Sequence, residues 1–177
     1  MPAAAPTANA VKGTVVFTDI AGFTEYNALR GDEEALALLS LQERIVLEHL
    51  PEGARIVKEL GDGLLLWFPT ASEALGACLR LQARFLWEAA ASDVPLWVRI
   101  GMHSGHQTKR GDDLVGHDVN VASRVVDVAG PGEVLLSEAT LAEIEEQLDG
   151  VTFDELGPVM MKGLPAPVRL YRALWEI

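Results

Sequence analysis

Asp19 closes the apolar run of VVFTDI, and Asp62 stands between two glycines in KELGDGLLL. The first run reads as the end of a buried strand over Thr14 to Thr18. The second reads as a hairpin tip, because Gly61-Asp62-Gly63 is turn chemistry flanked by apolar β-formers. A sheet that sets the first strand beside the hairpin brings the two carboxylates close together. Bare carboxylates so placed repel. Sites of that kind hold divalent cations, which take oxygen ligands and can clamp the attacking and leaving oxygens of a phosphoryl transfer about 4 Å apart. Plainer work also suits both residues, Asp19 as a cap on AGFTEY and Asp62 as a turn former, and spacing alone leaves both readings open. A second constellation lies in GDDLVGHDVNVASR, where Asn120 and Arg124 are four apart and share a helix face among Val119, Val121 and Val125. A guanidinium there can neutralise charge on a transferring phosphoryl group, and an amide can hold a sugar or phosphate oxygen. A solvated helix face is the alternative.

Periodicity predicts the elements that position these residues. DEEALALLSLQERIVLEHL is helical, with Leu38, Leu41 and Ile45 at helical spacing, and Pro51 and Gly53 end it. ARIVKELGDGLLLWF forms two strands. Thr70 and Glu73 make a capping box for a helix whose stripe is Ala74, Cys78, Leu81 and Phe85. PLWVRIGMHSG is a strand, DDLVG a short extended piece, and HDVNVASRVVDVA a helix broken at Gly130-Pro131-Gly132. A strand over Glu133 to Leu136 follows, then a helix capped by Ser137 with Leu141, Ile144 and Leu148 on one side. Strands close the chain at Val151 to Phe153, Val159 to Met161 and Val168 to Leu174. This order predicts an α+β fold with a ferredoxin-like βαββαβ core, a largely antiparallel sheet with helices over one face, and C-terminal strands extending it. Residues 1–12 are expected to be a flexible tail before a single domain over 13–177.

Composition narrows the function. A chain of 177 residues with net charge −12 lacks the clustered lysine and arginine that grip nucleic-acid backbones, so no nucleic-acid partner is expected. The opening MPAAAPTANAVKG has neither a basic stretch nor a continuous apolar one, and no run reaches the length of a membrane span, so neither a signal peptide nor membrane insertion is expected. The single cysteine, Cys78, fits a buried thiol in a reducing compartment, which points to the cytoplasm. His49, His103, His106 and His117 sit at no metal-ligand spacing and read as structural or surface residues. There is no P-loop motif.

Taken together, VVFTDIAGFT, KELGDG, VRIGMHSG, GDDLVGHDVNVASR and MMKGLPAPVRLY recur in an order that resembles the class III nucleotidyl cyclase catalytic domain, across roughly Gly13 to Ala173. The resemblance implies that Asp19 and Asp62 hold two magnesium or manganese ions, with the Ile20 carbonyl assisting. It implies that Lys58 and Asp113 face the purine, Asn120 orients the ribose, Arg124 steadies the α-phosphate, and Lys162 meets the terminal phosphates. Sites in this family form between two subunits, so a homodimer is expected. The implied reaction closes a nucleoside triphosphate to its 3′,5′-cyclic nucleotide with release of pyrophosphate. A lysine that only donates and a carboxylate that only accepts match adenine rather than guanine, which favours ATP over GTP. His106 stands where some relatives place a phosphate-binding arginine, and a neutral histidine would weaken that contact. Guanylate cyclase and a catalytically silent cyclase-like dimerisation module are the alternatives.

Overall fold

The computed structural model describes residues 9–176. Strand β1 (Ala10–Ile20) is followed by α1 (Phe23–Arg30), α2 (Asp32–His49), the hairpin β2 (Arg55–Leu60) and β3 (Gly63–Phe68), then α3 (Ala71–Ser92). Next come β4 (Val98–Arg110), β5 (Asp113–Val115), α4 (His117–Val128), β6 (Val134–Ser137), α5 (Glu138–Glu143), β7 (Val151–Val159) and β8 (Val168–Trp175). The sheet order is β2-β3-β1-β4-β6-β8-β7, with β5 on β4. Its first four strands form the ferredoxin-like core. Every pairing is antiparallel except that of β4 with β6.

Helices cover both faces of this sheet rather than one. Strand β1 is buried on each side: Val16 and Ile20 pack with α2 and α3 residues such as Ile45, Cys78, Leu81 and Phe85, while Val15 and Phe17 meet Val119, Ala122 and Val126 of α4. A strand with two buried faces reads as a continuous apolar run, as VVF does. The seat of α4 on the second face is cut by a glycine. A Cβ on Gly101 of β4 would lie 2.4 Å from the Val126 backbone nitrogen, so only glycine lets helix and strand approach this closely. Gly101→Ala is expected to destabilise the fold by about 1 to 3 kcal/mol, as overpacked sites do, in urea melts of the purified chain.

Several boundaries differ from expectation. Strand β1 starts at Ala10, inside the predicted tail, because Ala10, Val11 and Lys12 pair with Thr108, Gln107 and His106 of the long β4; residues 1–8 lie outside the described residues. The helix capped by Ser137 ends at Glu143, so Ile144 and Leu148 pack on the core from outside it. The strands expected at 151–153 and 159–161 are one, β7, whose register shifts between Glu155 and Gly157.

Candidate active site

Strand pairing places the two aspartates. Asp19 lies opposite Gly63 on one side and Arg99 on the other. The loop between β2 and β3 is Gly61-Asp62, with positive φ at Gly61 alone, the pattern of a II′ hairpin turn that leaves Asp62 beside the end of β1. Gly63 is required as well, since a Cβ there would sit 1.9 Å from the Thr18 carbonyl oxygen. Behind the turn, the buried Gln42 of α2 accepts the Thr18 hydroxyl proton (3.0 Å) and donates from Nε2 to the Asp62 carbonyl (3.2 Å). Leu64 donates its N–H to Thr18 Oγ1 at 3.1 Å, so one buried amide ties both aspartate-bearing segments together.

The electrostatics are those of a carboxylate pair short of positive charge. Burial, then the neighbouring Asp19 carboxylate, pushes Asp62 up to about 6, offset partly by Arg99. Arg99 Nη1 lies 3.4 Å from Asp19 Oδ2. It is a site residue that sequence reading missed, although its motif VRIGMHSG stood out; only the β1–β4 register reveals it. Among the described residues no group of three or more His, Cys, Asp and Glu side chains could hold a metal. Two carboxylates and the adjacent Ile20 carbonyl instead suit Mg²⁺ or Mn²⁺, which complete their shells with water and phosphate oxygens. Below about 6 Asp62 keeps its proton and a metal must displace it, whereas above 6 the carboxylate is free to bind. Affinity for Mn²⁺ is therefore expected to fall about tenfold for each pH unit below that point in direct binding titrations, and Asp62→Asn is expected to remove this dependence along with most of the affinity.

A second group of residues assembles around α4. A bulge in β2 shifts the register between Ile56 and Lys58, so that Lys58 pairs with Leu65, whose side chain faces α4. Lys58 Nζ then reaches Asp113 Oδ2 at 3.0 Å, while Asp113 Oδ1 accepts the Leu114 N–H at 2.7 Å. The hydrogen bond from Lys58 holds the Asp113 carboxyl below its ordinary range, so it stays an acceptor. The neighbouring Asp112 is exposed, and its backbone carbonyl accepts from Arg55 at 3.1 Å. On α4, Asn120 is exposed and Arg124 pairs with Asp127 at 3.3 Å. Met161 packs with Val121 and Val125 of the same helix, and the next residue, Lys162, is exposed.

None of the hydrogen bonds and ion pairs of Asp19, Asp62 and Arg99 involves Lys58, Asp113, Asn120, Arg124 or Lys162 among the described residues. The candidate residues thus fall into two halves that no hydrogen bond or ion pair joins among the described residues. His106 lies opposite Lys12, at the end of β1 away from Asp19.

Known proteins with this sequence pattern and fold bear on what the halves do. A family model described as adenylate and guanylate cyclase catalytic domain matches residues 6–173. A pH-sensitive adenylate cyclase of Mycobacterium tuberculosis is 30% identical over 170 residues, covering 94% of this chain and 42% of that protein. The chain thus spans about two-fifths of that relative's length. The solved structure of the adenylyl cyclase CyaB from P. aeruginosa superposes with a TM-score of 0.77 at 27% identity, covering 95% of this chain and 96% of that one. A Trypanosoma brucei adenylate cyclase structure shares the fold, with a TM-score of 0.80 at 23% identity and coverage of 96% and 90%.

Proposed function

Because the chain belongs to the adenylate and guanylate cyclase catalytic-domain family, we propose that it acts as an adenylate cyclase, a homodimer that converts ATP to 3′,5′-cyclic AMP and pyrophosphate. The observation that carries the choice of ATP is the 3.0 Å Lys58–Asp113 pair. A donor and an acceptor fixed side by side complement the N1 acceptor and N6 donor of adenine. Guanine presents the reverse order.

In this reading the 3′-oxygen of the ribose attacks the α-phosphorus, the bond to the bridging oxygen of the β-phosphate breaks, and the 3′-hydroxyl proton passes to solvent. Asp19, Asp62 and the Ile20 carbonyl would hold two divalent ions, Mg²⁺ or Mn²⁺. When bound, these ions supply acidity at the 3′-hydroxyl and neutralise the β- and γ-phosphates. Asn120 orients the ribose, Arg124 exchanges Asp127 for the α-phosphate oxygens, and Lys162 takes the terminal phosphates. That no hydrogen bond or ion pair joins these residues to the aspartates among the described residues supports a site completed by a twofold-related partner. ATP is an intracellular substrate, and the buried, unpaired Cys78 thiol accords with a cytoplasmic setting. No described helix is long and apolar enough to cross a membrane.

The test is product formation by the purified chain given ATP or GTP with Mg²⁺ or Mn²⁺. Cyclic AMP and pyrophosphate in equal amounts are expected. No cyclic product with either nucleotide and either metal would leave a silent dimerisation module.

A further inference from the structure

The first turn of α4 is fastened to the sheet by a buried imidazole and a carboxylate. Asp118 Oδ2 accepts the His106 backbone N–H at 2.8 Å, and Asp118 Oδ1 lies 3.2 Å from His103 Nε2. His103 is 8% exposed, and its Nδ1 is 2.6 Å from the Ser137 hydroxyl. Ser137 in turn meets Thr140 Oγ1 at 3.0 Å, and Thr140 Oγ1 accepts the Ser104 N–H at 2.9 Å. A neutral imidazole satisfies every member of this chain: Nε2–H donates to Asp118, Nδ1 accepts from Ser137, and Ser137 accepts from Thr140. Burial, which pushes His103 below its ordinary range, favours that neutral form.

The strand is shaped to receive the carboxylate. A Cβ on Gly105 would lie 2.1 Å from Asp118 Oδ2 and 2.7 Å from its Cγ, so glycine leaves the space that Asp118 fills. Asp118 stands two residues before Asn120 and six before Arg124, on the helix the proposed function relies on. Hydrophobic contact of α4 with β1 and β3 fixes which face is buried, but such contact is non-directional and permits small slides along the axis. Directed hydrogen bonds at the first turn do not.

We propose that Asp118, held by His103 and seated against Gly105, is a positioning residue that sets where Asn120 and Arg124 stand relative to the reacting phosphate. This rests on the cyclase reading. Displacement of a reacting or stabilising group by about 1 Å can cost about a hundredfold in rate. Asp118→Ala is therefore expected to lower kcat by about 10- to 100-fold while the KM for ATP changes by less than about threefold, because Lys58, Asp113 and the partner's aspartates still bind the nucleotide. Gly105→Ala removes no polar group but evicts the carboxylate, so it should cost about as much. The double variant should be no worse than Asp118→Ala alone, since the clash is gone. Asp118→Asn should restore most of the turnover: its carbonyl keeps the His106 contact, and His103 can reverse its tautomer to accept from the amide.

Amide hydrogen exchange along residues 119–124 reads the same tether without turnover, and faster exchange is expected in Asp118→Ala. A wild-type chain that makes no cyclic nucleotide would defeat the cyclase reading. An Asp118→Ala chain that is folded, has wild-type kcat and keeps wild-type protection on α4 would overturn the positioning role, as would additive losses in the double variant.

Discussion

Alanine at Asp19 or at Asp62 is expected to lower cyclic-nucleotide formation by about a thousandfold or more, with the fold retained. The structural argument is that each aspartate supplies half of a carboxylate pair that burial and mutual repulsion leave in need of cations, as the rise of Asp62 to about 6 records. Asp62→Ala relieves that repulsion, so its thermal stability without metal should hold or rise even as activity disappears, whereas Asp19→Ala also gives up the 3.4 Å pair with Arg99. In Asp62→Ala, loss of activity together with a lower melting temperature would instead mark a structural role. The two half-sites give a sharper form of the experiment. Asp19→Ala spoils the aspartate half, and Asn120→Ala spoils the α4 half. Each homodimer then has no complete site, whereas a mixed dimer has one site carrying both lesions and one carrying neither. Mixing two inactive chains should therefore restore up to about half the wild-type rate per mixed dimer, or about a quarter overall once equal amounts exchange subunits at random. Mixed dimers that form yet stay inactive would place both half-sites in one chain and end the shared-site assignment.

How far such a site can be read from sequence depends on whether local chemistry or strand register does the placing. The hairpin under Asp62 is written locally, because Gly61 supplies a positive φ between two β-rich runs. So is α3, whose Thr70 hydroxyl accepts the Glu73 N–H at 3.2 Å. Asn120 and Arg124 share a helix face by periodicity alone. Lys58 is different: alternation would turn it away from α4, and a bulge that no residue announces returns it to Asp113. Arg99 is opposite Asp19 only because β4 pairs with β1 over its whole length. The second helical layer was missed for a related reason. A strand buried on two faces gives an apolar run that periodicity cannot divide, and Gly101 and Gly105, which admit α4, look like ordinary strand glycines until the helix is in place. His103 and Asp118 are distant from one another in function when read in line, and become a pair only through the packing those glycines allow.

The nucleotide preference should be large and should invert with the polarity of one ion pair. Asp113 is held as an anion by Lys58 and fixed by the Leu114 N–H, so it presents an acceptor that cannot become a donor by protonation near neutral pH. The ammonium can only donate. Adenine inserted against this pair offers an acceptor to Lys58 and a donor to Asp113, whereas guanine sets donor against donor and acceptor against acceptor. Buried polar groups left unpaired or opposed discriminate by factors of about 10⁴ in favourable cases; with both side chains 39% and 35% exposed, water relieves part of that cost, and a preference of about a hundredfold in kcat/KM for ATP is expected. Lys58→Glu alone leaves two carboxylates facing each other and should impair both substrates. Exchanging the charges with Lys58→Glu and Asp113→Lys together keeps an ion pair across the same strands while reversing the order of donor and acceptor. GTP should then exceed ATP in kcat/KM, with the melting temperature close to that of the wild type because the link between β2 and β5 survives. A double variant that folds, turns over and still prefers ATP would show that the base is read elsewhere, and would leave Lys58 and Asp113 as a strut between strands.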